Sequence, residues 1–514
     1  MQSQRIKFFA FTTIFVLGIF FRFSDLGKMI YSHDETYTSL HGAGYTRTEA
    51  VNNLWDGRII EKEEIEYFLK PTGDKGVFDT LSALASSEPH LAPLYFFFAH
   101  YWMRMVGTSP AAMRVLSALL SLFAIPGMFW LSFQLFESKK VALISAVLIS
   151  LSPYSILFAH DARPYSLWVF ITLLSSAAFL TAIKKNKTFA WGVYALFIII
   201  GLYSHLLFTL VIAAHGLYLV IVKESRVNGR FNRYLIVLVL AILAFTPWLY
   251  QIFIHRNSML NRLDWTTVGA SRFEYIQRWL IISASPLIDL YLGPGNILTY
   301  ILRLLIVILI GYALIFLVRG LPKSTWAFLI TMIGVTALPL LISDLIRGGR
   351  LTLQGRYFAS TIVMIIPVIA YLIEEKLSLG KTKSIFIWYS IVILIFSAQI
   401  SSAINISMSE TWWNKNLSPI NPQFGHVLNQ ASNPLLVVNG LEPTDPGDVF
   451  AITYMVDQDI SFILNRSATV VELPNDYSSI YWFHSTFGDF INSESGRAYK
   501  ATEAVPYFLW RIDR

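Results

Sequence analysis

The sequence predicts a polytopic α-helical membrane protein with a small α/β domain at its carboxyl end. Three observations carry that expectation. Of 514 residues, 55% are hydrophobic, 15% aromatic and only 14% charged, too apolar a composition for a soluble globule. Eleven apolar stretches approach the roughly 20 residues that a bilayer core requires of a helix. The basic residues collect between those stretches, so the net charge of +7 reads as topology, not as nucleic-acid binding.

The stretches are residues 6–23, 111–136, 141–158, 165–183, 189–204, 206–222, 233–253, 299–318, 325–343, 357–373 and 385–402. The first opens with Arg5 and Lys7 and lacks a small-residue cleavage site, so it is expected to remain as a start helix. With the amino end inside, the connections at 137–140, 184–187, 223–233, 319–323 and 374–383 also fall inside. Together with Arg5 and Lys7 they hold 16 Lys or Arg against four acids, the asymmetry expected of cytoplasmic loops. The run Leu91 to Val106 would invert every later loop if it crossed. It is therefore expected to lie flat as an interface helix, a role that suits its His100, Arg104, Tyr95, Trp102 and several Phe.

This arrangement puts residues 24–110, the turn around His160 to Pro164, the loop 254–298, the turn Ser343 to Arg356 and everything after about Ala403 outside. Residues 1–403 form the expected transmembrane domain, its first outer loop carrying interface helices. Residues 404–514 form the extracytoplasmic α/β domain, with strands at 435–438, 460–464, 480–483 and 507–510 and helices at 421–431 and 447–456. The chain has no cysteine, which excludes disulfides, thiolate nucleophiles and cysteine metal sites together.

Chemistry-bearing side chains collect on that outer face. The acidic pair Asp34-Glu35, beside His33, follows the first span. Asp161 and Arg163 lie past Ser152-Pro153 at an outer helix end, where Asp161 could orient an acceptor or a metal and Arg163 could meet a carboxylate or phosphate. The turn Arg347-Gly348-Gly349-Arg350 to Gly355-Arg356-Tyr357 places three Arg outside, against the inside preference for positive charge. Arginine makes planar bidentate contacts to phosphate oxygens, which points first to Arg356 and then to Arg350. Plainer readings stand beside each: a helix-capping carboxylate at Asp34, an Asp161–Arg163 or Asp34–Arg163 ion pair that locks a loop, and anchoring of the arginines to anionic headgroups. His205, in the Tyr203-Ser204-His205 break, either lines the same cavity or is a hydrogen-bonded turn histidine.

An ordered set of motifs then carries a resemblance: Ser32-His33-Asp34-Glu35, Glu88-Pro89-His90-Leu91-Ala92-Pro93-Leu94-Tyr95, Arg114-Val115-Leu116-Ser117-Ala118, Ser152-Pro153 and His160-Asp161-Ala162-Arg163-Pro164-Tyr165-Ser166-Leu167. The set resembles the C-type superfamily of polyprenyl-phosphate-sugar-dependent membrane glycosyltransferases. Within it, the set is similar in particular to the bacterial branch of the protein mannosyltransferases of glycosyltransferase family 39 and the lipid A aminoarabinose transferase. The resemblance covers the first 220 residues or so. It implies transfer of a sugar from a polyprenyl-phosphate donor to an acceptor (protein, lipid or glycan) on the outer face, by a single inverting displacement.

On that reading Asp34 is the base for the acceptor hydroxyl, with Glu35 and Asp161 supporting. Arg163, Tyr165, His90, Arg350, Arg356, Tyr357 and His205 bind substrate. No cofactor is certain, and a divalent metal at Asp34 and Asp161 stays open. The sequence departs from the family at His90-Leu91-Ala92-Pro93, where His-Pro-Pro is usual, and at Asp161, where many members carry Glu. A multispan transporter or lipid flippase is the alternative, against which stand the absence of paired broken spans in two halves and the clustering of charge at one face. A third reading is an assembly or sensor protein whose tail binds a partner.

Overall fold

A computed structural model of the chain describes residues 2–223, 229–293, 295–379, 382–415, 421–440, 446–457, 459–466, 473–483, 500–506 and 508–513. The chain divides into two compact units. The first comprises Met1–Leu26, Glu88–Tyr95 and Arg114–Met408, and the second Gly27–Ser87, Phe96–Met113 and Ser409–Arg514.

The first unit is helical, and all eleven apolar stretches lie on helices. Seven helical segments are long and apolar enough to cross a membrane: Pro110–Phe136, Tyr165–Lys185, Arg230–Ile254, Ile297–Gly320, Lys323–Arg347, Gly355–Ser378 and Lys383–Met408. The pair Lys139–Leu151 and Pro153–Ala159, bent by 50°, makes an eighth, and Phe11–Phe23, Thr188–Ser204 and Phe208–Ile221 are shorter apolar helices. The chain is an integral membrane protein. The expectation of eleven full spans is met among the described residues by seven or eight helices that satisfy length and composition. The others fall short in length: Thr188–Ser204 has 17 residues and Phe208–Ile221 has 14, against the roughly 20 of a full crossing. The run expected to lie flat is the helix Leu94–Val106 of 13 residues. At about 1.5 Å per residue it covers roughly 20 Å, short of a hydrocarbon core of about 30 Å.

The broken span has a local cause. Pro153 has no N–H to give to the carbonyl of Ile149, and its ring clashes with a continuing helix, so the first segment stops at Leu151 and a new one starts with proline in its first turn. The freed backbone groups find other partners. Arg22, fully buried, donates through Nη2 to Ile149 O (3.1 Å), through Nη1 to Ser150 O and to Gly18 O, and through Nε to Ser121 Oγ (3.0 Å). Tyr154 N donates to Ser285 O at 3.1 Å. Gly18 permits the close approach, since a Cβ there would run into the Ser150 carbonyl. At the far end of the short segment His160 Nε2 lies 2.8 Å from Phe21 O, and Arg114 Nη1 donates to Leu26 O at 2.7 Å. The turn His160–Pro164 is thereby locked to the end of the first helix.

The second unit is built on a six-stranded sheet of order β1-β3-β2-β4-β6-β5. The strands are β1 (Asp56–Glu61), β2 (Pro434–Asn439), β3 (Ser461–Asn465), β4 (Ser479–Phe483), β5 (Lys500–Val505) and β6 (Leu509–Asp513). The central β3-β2-β4 strands are parallel, and β1, β6 and β5 add antiparallel edges. β2 is buried along its whole length, as expected of a parallel strand covered on both faces. Leu435, Val437, Ile463, Ile480, Trp482 and Ile512 make one core cluster.

The expected strands at 435–438, 460–464 and 480–483 coincide with β2, β3 and β4. The one at 507–510 starts two residues later as β6, and Tyr507 lies outside the described residues. The expected helices correspond to Asn421–Asn429 and Pro446–Thr453. Neither β1 nor β5 was expected. β1 comes from the long connection after the first helix, so the division at residue 403 does not describe this unit: that connection and the tail share one sheet, with Asp56 facing Asn465 and Glu61 facing Ser461. Its physical reason is the exposed edge of β3, which the loop pairs and covers.

Candidate functional site

In the first unit, three segments bring cations and aromatic rings around His205. The first is the turn after the broken span. Asp161, Arg163 and Tyr165 are all buried there, and the helix that follows places Tyr165 and Trp168 one turn apart on the same face. The second is the segment bearing His90, held by Trp248 Nε1, which donates to Pro89 O at 3.2 Å. The third is the turn between Lys323–Arg347 and Ile365–Leu379. Here buried Asp344 accepts from Thr352 N (2.6 Å) and Thr352 Oγ1 (2.8 Å). Trp279 Nε1 donates to Thr352 Oγ1 at 3.1 Å, and the Tyr275 hydroxyl donates to Gly349 O. Tyr154 OH donates to Gly355 O at 3.1 Å, which ties this turn to the broken span.

His205 itself caps the helix Thr188–Ser204. Its ring stacks on Trp168 at 4.0 Å and 4°, with Tyr165 at 6.2 Å and Tyr357 at 6.4 Å. The Leu207 amide donates to its Nδ1 at 3.2 Å, which requires an unprotonated nitrogen there. Burial, and then the charges of Arg163, His90 and Arg356, push its pKa down to about 3. Its imidazole is therefore a neutral, flat wall among cations at physiological pH. The Trp168 indole N–H has no hydrogen-bond partner among the described residues. Arg356 stands half-buried in a 3-10 turn, Gly355–Phe358, its guanidinium carbon 5.4 Å from the Tyr357 ring centroid.

The residues singled out from sequence thus separate into groups. His90, Arg163, Tyr165, His205, Arg356 and Tyr357 are brought into one neighbourhood, and Asp161 lies two residues from Arg163. Arg350 is engaged otherwise: its Nη2 donates to Glu274 Oε1 at 2.6 Å, pinning the turn to the helix Arg272–Ala284. Trp168 was not singled out, although its spacing from Tyr165 was the available signal. Two planar cations beside flat rings form a surface suited to an oxyanion attached to an apolar or ring-bearing group.

Asp34 and Glu35 belong to the second unit, at the first turn of the helix His33–Gly42. Glu35 is buried and Asp34 half-buried. Glu35 Oε2 accepts from Ser32 N and Ser32 Oγ, both at 3.0 Å, closing a capping box. The same oxygen accepts from Lys415 Nζ at 2.7 Å. Glu35 is thus spent on holding the turn, and Asp34 is the carboxylate of the pair with exposed surface. Sequence reasoning missed Lys415, which lies 380 residues away. Among the described residues no group of three His, Cys, Asp or Glu side chains is placed to hold a metal.

Residues 88–251 match a family model described as dolichyl-phosphate-mannose-protein mannosyltransferase. No curated protein matches the sequence. The crystal structure of ArnT from Cupriavidus metallidurans bound to undecaprenyl phosphate superposes with a TM-score of 0.55 at 10% identity, over 98% of this chain and 97% of that one. The apo oligosaccharyltransferase of Archaeoglobus fulgidus superposes with a TM-score of 0.51 at 12% identity, over 88% of this chain. This chain spans 64% of that protein's length. At such identities the likeness is one of fold. The family model over residues 88–251 and the likeness of fold over nearly the whole chain agree with the resemblance read from the sequence. The matched segment contains His90, Asp161, Arg163, Tyr165 and His205, whereas Asp34, Arg356 and Tyr357 lie outside it.

Proposed function

We propose that the chain is a glycosyltransferase that moves a sugar from a polyprenyl-phosphate carrier to an acceptor hydroxyl on the extracytoplasmic face of the membrane. The observation that carries this reading is the cluster of Arg163, Arg356 and His90 around a neutral, stacked His205. Such a cluster suits a lipid-linked phosphate. The guanidiniums hold the phosphate through charge-assisted bonds and neutralise the charge that builds on it as the glycosidic C–O bond breaks. Arg350, paired with Glu274, keeps the turn in place and leaves Arg356 as the main phosphate ligand of this loop.

Asp34 acts as general base. It takes the proton of the acceptor hydroxyl while the oxygen attacks the anomeric carbon and the polyprenyl phosphate leaves with the bonding pair. A single displacement inverts the anomeric centre. Glu35 and Asp161 support this chemistry from their buried positions. The family model over residues 88–251 and the ArnT-like fold support the donor class, since the ArnT crystal structure contains undecaprenyl phosphate. Purified protein in liposomes, given undecaprenyl-phosphate-linked radiolabelled mannose, glucose, galactose and aminoarabinose in turn, should release undecaprenyl phosphate from at least one when a membrane extract supplies acceptors. Release from none, with undecaprenyl phosphate also failing to bind, would overturn the reading. Vectorial movement of the intact labelled lipid, with no sugar released, would favour a flippase.

A further inference from the structure

We propose that Lys415 is a positioning residue for Asp34, acting through Glu35, so that the C-terminal segment sets the geometry of the base. The inference rests on the reading of Asp34 as that base. Lys415 and Glu35 form an ion pair at 2.7 Å, with side-chain exposures of 1% and 0%. Burying two charges costs several kcal/mol per ion in general, and well-packed apolar side chains often serve stability equally well. A pair retained in such a place fits a role in fixing geometry.

The geometry shows what is fixed. One oxygen of Glu35 receives three donors, two from Ser32 and one from Lys415. The carboxylate therefore clamps the helix start on which Asp34 is the second residue. Other contacts from the same C-terminal segment surround that turn independently. Ile30 N donates to Glu410 O at 2.8 Å, and the Tyr31 and Tyr454 rings pack at 4.8 Å. Thr36 Oγ1 donates to Gly447 O at 3.2 Å, and His33 Nδ1 lies 3.4 Å from Asp448 Oδ1. Gly447 matters for its missing side chain: a Cβ there would stand 2.8 Å from the Tyr37 ring and 2.9 Å from His33 Nδ1. Residues on both sides of Asp34 are thus gripped by Ser409–Arg514, while Asp34 keeps exposed surface.

The test uses full-length protein in liposomes and the panel sugar that the wild type consumes. Glu35→Gln combined with Lys415→Met removes both charges without stranding either. Gly447→Ala leaves the pair intact and pushes on the helix from the other side. Resistance of residues 27–87 to limited proteolysis reports whether the second unit of each variant is folded, and undecaprenyl phosphate binding whether the donor site is intact. A displaced base costs up to about a hundredfold in turnover, so both variants should lose tenfold or more in kcat. Donor KM should stay within about twofold, because the donor is held elsewhere.

In an Asp34→Asn background neither change should lower the residual rate further, since the residue through which they act is gone. Wild-type kcat in the folded doubly neutral variant, or a full loss added on top of Asp34→Asn, overturns the role of Lys415, and wild-type kcat in folded Gly447→Ala overturns the control of the base's geometry by the C-terminal segment. If the doubly neutral variant does not fold, Lys415→Arg, which keeps the charge but changes its reach to Glu35 Oε2, takes its place and should lose kcat in the same way. Wild-type turnover by Asp34→Asn itself would sink the base assignment and this inference with it. An inactive Asp34→Asn alongside fully active Lys415 and Gly447 variants sinks the inference alone.

Discussion

At the start of the helix His33–Gly42 two neighbouring carboxylates meet different surroundings. Glu35 is buried against Ser32 and Lys415, and Asp34 keeps a path to solvent. Asp34→Asn should therefore lower transfer by about 10² to 10⁴, the usual cost of losing a general base, and leave the unfolding midpoint nearly unchanged. Assay and thermal melt on one preparation check both halves. On the proposed reading Arg356 acts at the other end of the reaction. Losing a charge-assisted contact costs about 1.5 to 3 kcal/mol, so Arg356→Ala should weaken donor binding roughly ten- to a hundredfold and spare the acceptor. Arg356→Lys should recover only part, for want of the planar fork. Equal weakening of both ligands, or an effect that vanishes in liposomes of different headgroup charge, would return this arginine to anchoring.

His205 makes a third residue-scale case. Its folded pKa, about 3, lies below the ordinary value of 6.5. On acidification the unfolded chain takes up the proton first, so stability present above about pH 6.5 is lost progressively as pH falls toward 3. The wild-type melting midpoint should fall between about pH 7 and pH 5, and His205→Phe should flatten that slope. An identical slope in the variant would mean that other groups carry the acid sensitivity.

At the scale of elements, the spans were legible because lipid imposes a length and a composition that a window of sequence can show. A break at Ser152-Pro153 was in principle legible, since proline acts locally, although the sequence reading kept 141–158 as one stretch. What repairs the break was not: Arg22 reaches carbonyls 127 and 128 residues further along the chain, and nothing in a span's composition announces which charge will be buried for that purpose. β1 was invisible for a related reason. Asp-Gly-Arg-Ile-Ile-Glu has neither alternation nor an apolar run, and its strand state comes from pairing with β3 some 400 residues away. The flat placement of Leu94–Val106 remains the element on which sidedness depends. A helix of 13 residues that does not cross predicts that reporter fusions after residue 108 read outside and those after 138 read inside. A fusion at 138 that reads outside would reverse the face assigned to every later loop.

For the whole molecule, the chain order of the second unit has consequences that the sequence-level division at residue 403 hides. The connection after the first helix supplies an edge strand and the Asp34 helix, and the tail supplies the five other strands, Lys415 and the helix Pro446–Thr453 that packs against Asp34's own helix. The site residues of the first unit could be anticipated from sequence because they sit in short motifs beside span ends. The frame around Asp34 could not, because half of it lies at the far end of the chain. Neither half of this unit buries its apolar surface alone: Trp55 and Phe450, from loop and tail, pack edge to face at 6.1 Å, and β3 without β1 presents an open edge. A chain ending at Met408 should therefore still insert into the membrane, since the spans remain, yet lose transfer by more than tenfold and expose residues 27–87 to limited proteolysis. The isolated segment 404–514 should be correspondingly prone to association through the uncovered β3 edge, and adding it in trans should restore protection of the loop before it restores turnover. Wild-type turnover by the truncated chain, with its loop still protected, would show that the loop folds by itself and that the tail is an accessory.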